Sequence, residues 1–463
     1  MSTPTTNTNN KTSYNICVVG GGLAGAAVAL SLSKDGGHKV ALYEAYPHPT
    51  EIKQKNSPKA YVISMGHRGQ QGLQRATGIT PEQVVGGILT DKLARHPSKK
   101  LLHRSSPSLV CPRQQLAAHL LDAAAAAGVT IHYQHRLVAV DFQKQTATFA
   151  QHNEKQITTS YHLLLGADGS KSTVRGLLDA AALPDFSVLR TEVDSMEYQV
   201  AVLPRRLDTT ILPDDTVHAW NNKQYNAICL AFPVAAAATL FAVVFPAGQL
   251  DAFKATTGAY EEPLSCLFSD LDEADRRELA LQLAEGTPAN GGLCVWCSSM
   301  GSPTASTVLV GDSAHGMWPS LGQGANAALE SAAIFCETAR DISKTATFAT
   351  PADWSTALIA EFNRRRHADA VAAVDLTYGG IGARKSRGRG NAPLSYKLQI
   401  GGMMLLHKLT LGVVPKPALL RLMGGDCISY SKARRFNFYY EKMICLLGLA
   451  LLGAPVVWYK FKR

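Results

Sequence analysis

The sequence predicts an α/β fold: a Rossmann-like dinucleotide-binding domain, an inserted antiparallel β-sheet domain, and a C-terminal helical, membrane-anchored tail. Three observations predict it. A strand, a glycine turn, a helix and a second strand follow one another within about 30 residues near the start, the βαβ signature. Between about 180 and 300 the texture changes to short β-branched and aromatic runs, after which a buried-type strand and an Ala-rich helix return. Near the C-terminus lies a charge-free apolar run.

The elements follow in order. Residues 1–14 are rich in Thr and Asn and read as a disordered leader, neither a secretory signal nor an Arg-rich transit peptide. Residues 15–180 form the first part of the nucleotide-binding domain, with Ile16–Val19 and Val40–Glu44 as strands and helices over His67–Ala76 and Arg113–Ala127. Residues 181–300 form the antiparallel-sheet domain, expected to hold substrate, with strands at Tyr198–Leu203, Val217–Trp220, Ala227–Phe232 and Thr239–Phe245. Residues 301–376 return to the first domain through strand Thr307–Val310 and the helices Ala325–Thr338 and Trp354–Leu376. Residues 377–442 read as a helical amphipathic region, with Met403–Leu422 lying along a membrane surface, and 443–459 as a transmembrane anchor. That last run, Met443–Tyr459, sits at the short edge of spanning length and ends in the aromatic pair Trp458-Tyr459.

Composition excludes several classes. The chain has 463 residues, with 46% hydrophobic and 18% charged, which rules out a disordered or collagen-like polymer. Residues 361–463 hold 18 of the 46 Lys and Arg but only 5 of the 36 Asp and Glu. The positive charge thus sits beside the apolar run. It points to an anionic membrane and not to nucleic acid, since no aromatic–basic recognition motif accompanies it. Nine scattered cysteines form no disulfide framework, and a reducing compartment fits. The single Cys294-x-x-Cys297 lacks the further ligands a zinc site needs, and no metal cluster is expected.

The chemistry is carried by three motifs. In Gly20-x-Gly22-x-x-Gly25 the first glycine makes the turn, the second admits a pyrophosphate, and the third lets helix and strand pack. Leu23 and Ala24 open the helix whose N-terminus would receive the phosphates, and Glu44, closing the next strand, would accept ribose hydroxyls. This motif alone leaves FAD and NAD open. The second is Leu164-Leu165-Gly166-Ala167-Asp168-Gly169, and the third is Val310-Gly311-Asp312-Ser313-Ala314-His315 leading to Pro319 and Gly322-Gln323-Gly324-Ala325-Asn326. With these the chain resembles the single-component flavoprotein monooxygenases that use FAD.

The resemblance implies that Asp312 bonds the ribityl chain and that Pro319, Gly322, Gln323, Gly324, Ala325 and Asn326 lie against the isoalloxazine ring. It implies that Arg113 contacts the flavin, and that the Asp168 segment serves both FAD and the nicotinamide, NADPH or NADH. The physics agrees, because a helix opening at Ala325 aims backbone N–H groups at the negative charge of a reduced flavin. Ser64–Leu73, His218-Ala219-Trp220 and the order of the terminal features narrow the likeness to the kynurenine 3-monooxygenase family. The implied activity is hydroxylation of an aromatic substrate through a flavin hydroperoxide, with O2 and a small molecule as partners. The implied location is the mitochondrial outer membrane in preference to the endoplasmic reticulum, with the body in the cytosol.

The substrate clamp departs from that family. Gly379 stands where an asparagine belongs, Met423 where a tyrosine belongs, and Lys92, Arg95 and Lys99 form no arginine–tyrosine pair. Two rival readings follow: an epoxidase or reductase acting on a lipophilic isoprenoid or polyene, and a non-catalytic membrane flavoprotein. No catalytic residue is assigned; His315 belongs to the flavin motif and has no partner assignable from sequence.

Overall fold

The computed structural model describes residues 13–35, 38–52, 61–96, 98, 100–151, 155–204, 215–222, 227–234, 238–249, 268–286, 289–290, 292–379, 394–417, 421–422, 427–437 and 439. The chain opens with β1 (Asn15–Val19), α1 (Leu23–Lys34) and β2 (Lys39–Tyr43). Next come β3 (Val62–Met65), α2 (His67–Thr77), β4 (Ile88–Arg95), β5 (Lys100–Pro112) and α3 (Arg113–Ala126). Then follow β6 (Thr130–His132), β7 (His135–Asp141), β8 (Thr146–Gln151), β9 (Gln156–Ser160), β10 (Leu163–Gly166) and α4 (Thr173–Ala180).

β1 is apolar from Ile16 to Val19 because it is central. The six-stranded sheet runs β18–β19–β10–β1–β2–β6, where β18 is Gly301–Ser302 and β19 Thr307–Leu309, and only β18 is antiparallel. Its inner strands are covered on both faces, so a near-continuous hydrophobic run replaces alternation. Ala26, Ala27 and Ala29 are fully buried in α1, where small side chains let the helix lie close on the sheet. Tyr14, placed in the leader by the sequence, belongs to this core. Its ring stacks on Trp354 with centroids 4.1 Å apart, anchoring the chain just ahead of β1.

The second sheet has eight strands in the order β16–β12–β15–β14–β13–β4–β5–β3. Here β12 is Met196–Pro204, β13 Thr216–Asn222, β14 Ala227–Val234, β15 Ala238–Pro246 and β16 Ala289–Asn290; β11 (Val188–Val193) pairs separately with β17 (Leu293–Cys297). The four strands read from sequence are present with slightly wider bounds, but the sheet is not confined to 181–300. β3, β4 and β5 join it, and β4 pairs parallel with β13 through Lys92↔Thr216. Alternation sorts the two faces. Ala201, Leu203, Phe241, Val243 and Phe245 pack against Leu279 and Leu283 of α5 (Glu273–Glu285), whereas Val62, Val110, Val217, Phe232 and Leu240 form the opposite apolar face.

The remaining helices are α6 (Gly324–Thr345), α7 (Pro351–Gly379) and α8 (Leu394–Leu409). The helix expected at Ala325–Thr338 runs on to Thr345, and the loop after it shrinks accordingly. Met403–Leu422 is not one amphipathic helix. α8 stops at Leu409, Leu411 and Gly412 take positive φ (50° and 90°), and Pro415 and Pro417 follow. No helix among the described residues is long and apolar enough to cross a membrane, and Met443–Tyr459 lies outside the described residues. Cys294 and Cys297 are buried free thiols on β17, each pushed up to about 12 by burial.

Candidate cofactor site

The glycine turn is set by steric necessity. A Cβ on Gly20, at φ 101°, would stand 2.5 Å from the Ala167 carbonyl oxygen, because β1 and β10 come together there. A Cβ on Gly25 would stand 2.0 Å from the Gly20 carbonyl oxygen, so helix and turn meet only without side chains. Gly22 differs: a Cβ there would face open space, with only Arg113 Nη2 near it at 3.5 Å. Gly22 caps α1 with no side-chain hydrogen bond and no acid in the first turn. The first-turn N–H groups at Leu23 and Ala24 are therefore free to receive an anion.

Glu44 lies beside this turn. Its Oε2 accepts the Gly21 N–H at 2.6 Å and its Oε1 the Tyr46 N–H at 3.0 Å, which orients the carboxylate and leaves a lone pair on each oxygen for a hydroxyl. Arg113 heads α3 with its guanidinium 5.5 Å from the Tyr61 ring centroid. Tyr61 in turn meets Tyr198 edge-on at 6.3 Å. Asp312 opens a short helical turn after Gly311, whose φ of 69° brings the backbone against Ala24. Burial pushes the Asp312 carboxyl up and the Arg113 guanidinium pulls it back. No hydrogen bond to the half-buried Asp312 carboxylate is present among the described residues, so its acceptor capacity stays open.

The Asp168 carboxylate is engaged within the fold. Its Oδ1 accepts from Ser172 at 2.5 Å and Ser313 at 3.2 Å, and its Oδ2 accepts the Thr173 and Val174 N–H groups at 2.6 and 3.1 Å. It caps α4 and ties β10 to the Asp312 turn, a junction strengthened by Arg175, which donates to the Ser313 and Ser170 carbonyls at 2.9 and 2.7 Å.

The Pro319–Asn326 segment divides the same way. Pro319 begins a single 3₁₀ turn, and Gly322 closes it at φ 61°. Gly322 and Gly324 have open space where a Cβ would be. α6 starts at Gly324 with no side-chain cap and no acid in its first turn, leaving the N–H groups near Ala325 exposed to that space. Gln323 and Asn326 instead turn inward. Asn326 Nδ2 donates to the Gly322 carbonyl at 2.8 Å while its Oδ1 accepts the Gly69 N–H at 3.2 Å. A Cβ on Gly69 would sit 2.4 Å from that oxygen, which explains the glycine in the Ser64–Leu73 segment.

His315 is buried, and its Nε2 lies 2.8 Å from Ser331 Oγ. Burial and the nearby Arg366 guanidinium push it down to about 3, so it stays neutral and serves as packing. The sequence missed the network behind it. Glu330 bridges Arg68 and Arg366; Arg366 donates to the Glu330 carboxylate, Ser331 Oγ and the Ala327 carbonyl at 2.6, 2.8 and 3.0 Å. Arg366 sits in the run Arg364–Arg366, and its neighbours are partly exposed, so nothing in the run marks the buried member.

A parallel sheet, a side-chain-free cradle at a helix N-terminus, an oriented acid after the next strand and an Asp carboxylate with no hydrogen bond among the described residues fit a FAD-binding flavoprotein. The FAD binding domain family matches residues 13–262, and the chain belongs to that family. It is 26% identical to kynurenine 3-monooxygenase of Xanthomonas campestris pv. campestris over 332 residues, covering 70% of this chain and 71% of that one. It is also 26% identical to the Yarrowia lipolytica kynurenine 3-monooxygenase over 383 residues, covering 78% and 79%. Among solved structures, 2-methyl-3-hydroxypyridine-5-carboxylic acid oxygenase superposes with TM-score 0.63 at 20% identity, over 89% of this chain and 96% of that one. Pseudomonas aeruginosa PqsL, solved with 2-aminobenzoylacetate, gives 0.61 at 16%, over 81% and 97%. These likenesses define the fold. The chain is a FAD-dependent monooxygenase of this family, an oxidoreductase.

Two outcomes test the site. Gly22→Leu should fold and remain colourless, because its side chain enters only the ligand space, whereas Gly25→Ala should fail to give stable protein. Circular dichroism and flavin absorbance of the purified variants read both; a yellow Gly22→Leu protein contradicts the cradle. The second concerns acid. Below about pH 6.5 the unfolded chain takes up a proton on residue 315 that the native chain refuses down to about 3, so native stability falls as pH drops through that window, by at most about 1.4 kcal/mol per unit. Urea unfolding at pH 7 and pH 5 should show a smaller loss for His315→Gln than for wild type.

Proposed function

We propose that the chain is a NAD(P)H-consuming monooxygenase that hydroxylates an aromatic substrate with O2, in the manner of the kynurenine 3-monooxygenases it resembles. One observation carries this reading: open space at Gly22 beside Arg113, and open space at Gly322 and Gly324 before an uncapped helix start. When bound, FAD supplies hydride acceptance from the nicotinamide and electron delivery to O2. The protein's own groups do the rest. The first turn of α1 holds the pyrophosphate, Glu44 orients a ribose, Asp312 accepts from the ribityl chain, and the first turn of α6 stabilises negative charge on the ring. The apolar sheet face around Val62, Val110, Val217, Phe232 and Leu240 supplies a water-poor wall. Alternation along β12 puts Tyr198 on the same side as Val200, which packs on that face, so the wall faces the Tyr61 and Arg113 side.

Kynurenine itself is not the favoured substrate. Lys92 is paired with Asp215, Gly379 ends α7 with no side chain, and Lys99 and Met423 lie outside the described residues. The apolar wall together with this missing polar clamp supports a second reading, an epoxidase or reductase of a lipophilic isoprenoid or polyene. The first reading expects substrate-stimulated NADPH oxidation with one atom of labelled O2 in the product, measured over a panel of aromatic and isoprenoid compounds. Product formation that continues without O2 overturns it in favour of the reductase. A bound flavin with no turnover of any candidate favours a non-catalytic flavoprotein.

The same proposal includes a membrane anchor at 443–459. The run is short, moderately apolar and flanked by basic residues, which favours the mitochondrial outer membrane over the endoplasmic reticulum. Leu409, Leu411 and Val413 are 71, 95 and 86% exposed beside Lys408 and Lys416, an apolar and basic surface of the same character. Truncation after Lys442 should release the flavin-loaded protein from carbonate-washed membranes. Identical soluble fractionation of the full and truncated chains overturns the anchor.

A further inference from the structure

In the Pro319–Asn326 segment Leu321 is buried and Gly322 and Gly324 bear no side chains, so its long-range side-chain hydrogen bonds come from the two inward-turned residues between and after the glycines. Asn326 grips α2 and the Gly322 carbonyl. Gln323 grips a residue more than a hundred positions away: its Oε1 accepts the Tyr430 hydroxyl at 2.9 Å. The Gln323 Nε2 donates back to the Leu321 carbonyl at 3.3 Å, which fixes the amide orientation and makes the Tyr430 hydroxyl the donor. Gln323 is also the residue immediately before α6, and its own carbonyl accepts the Ala327 N–H at 2.8 Å. One residue therefore carries both the bond to Tyr430 and the first backbone bond of the helix.

Tyr430 is well placed to impose that orientation. It is 1% exposed, and the Arg68 guanidinium lies 4.1 Å over its ring. The segment carrying it is fastened on three sides. Arg68 donates to the Ile428 carbonyl, Asp369 Oδ1 accepts the Ser431 N–H at 2.9 Å, and Arg434 pairs with Asp375 at 2.9 Å. Arg68 also pairs with Glu330, and Glu330 pairs with Arg366, which binds the second turn of α6. Residues 427–437 and the start of α6 are thus held by one buried charge network and one neutral hydrogen bond.

We propose that Tyr430 is a positioning residue for the cofactor-facing loop: its hydroxyl holds Gln323, and through it the uncapped start of α6, in the orientation that meets the flavin ring. The charge network locates the Tyr430 ring; the hydroxyl transmits that location to the loop. The last described segment of the chain is thereby part of the cofactor site without touching the cofactor. The inference rests on FAD binding and not on the identity of the substrate.

Tyr430→Phe isolates the hydroxyl, since the ring remains beneath Arg68. Holoprotein carrying it should stay yellow, with a perturbed visible spectrum of the flavin. Its backbone amides at 319–326 should exchange with deuterium about 2- to 12-fold faster than in wild type, the range one neutral hydrogen bond supports. Gln323→Met removes the acceptor and should give the same changes, and the double variant should add little. If Tyr430→Phe does not fold, Gln323→Met alone carries the test with the same expectation. Unchanged exchange at 319–326, or faster exchange confined to 427–437, overturns the proposal, because Tyr430 then anchors only its own segment. A wild-type protein that fails to bind FAD at all contradicts the cofactor assignment instead, so the two failures are distinguishable.

Discussion

One carboxylate organises the centre of this molecule. Arg68 and Arg366 are almost wholly buried, and a buried guanidinium is tolerable only with its charge compensated and its donors satisfied. Glu330 meets both, with one oxygen for each arginine. Because Arg68 stands on α2, Glu330 on α6 and Arg366 on α7, the requirement that this charge be paired fixes three helices against one another. The remaining donors reach the Ile428 and Ala327 carbonyls, so backbone from the C-terminal segment and from α6 enters the same arrangement. Removing one partner would leave an uncompensated charge at a cost of about 3–5 kcal/mol. Geometry there is accordingly set more by charge pairing than by apolar packing.

The cradle obeys a different constraint, excluded volume. β1 and β10 lie side by side, with Val19 opposite Gly166, and the turn after β1 rises into the Ala167 backbone. Gly20 and Gly25 are there because atoms already occupy the positions of their Cβ groups. At Gly22 a Cβ would meet only Arg113 Nη2 at 3.5 Å. The same sequence pattern therefore contains two glycines that the fold requires and one beside open space. The acidic residues divide similarly: Glu44 and Asp312 keep acceptor capacity open, while Asp168 spends its acceptors on α4 and Ser313.

Much of this was legible in the sequence, for local reasons. Glycine spacing, the strand before it and the helix after it are set within a few tens of residues, so β1, α1 and β2 appear where expected, and the strands from Met196 to Pro246 follow from alternation and turn residues. What was not legible is non-local. β4 pairs with a strand more than a hundred residues later, and nothing in Ile88–Arg95 announces a parallel partner. The β7–β9 sheet likewise shows its pattern only once its partners are known. Asp168 and Asn326 were identified as residues of the site, and the structure shows their side chains hydrogen-bonded to neighbouring parts of the fold. A motif shows that a residue is needed; only the count of its hydrogen bonds shows what for.

The electrostatics of the site follow from these same placements. Two helices of 12 and 22 residues begin at open space with no capping side chain and no acid in the first turn, so the partial positive ends of both are unneutralised. Arg113 adds a full positive charge beside Gly22, close enough to offset part of the effect of burial on Asp312. His315, behind the loop, is held neutral by burial and by Arg366 and contributes no charge of its own. Positive potential therefore comes from backbone and Arg113, groups that neither titrate near neutrality nor move protons. Glu44 and Asp312 supply carboxylates with open acceptor capacity, where hydroxyl donors would be met. Such a site favours a ligand that is anionic at its phosphates, donor-rich along its sugar and ribityl chain, and electron-accepting at its ring. That division of charge is what a flavin dinucleotide presents, and it leaves the chemistry of oxygen transfer to the cofactor, with the protein contributing position and field.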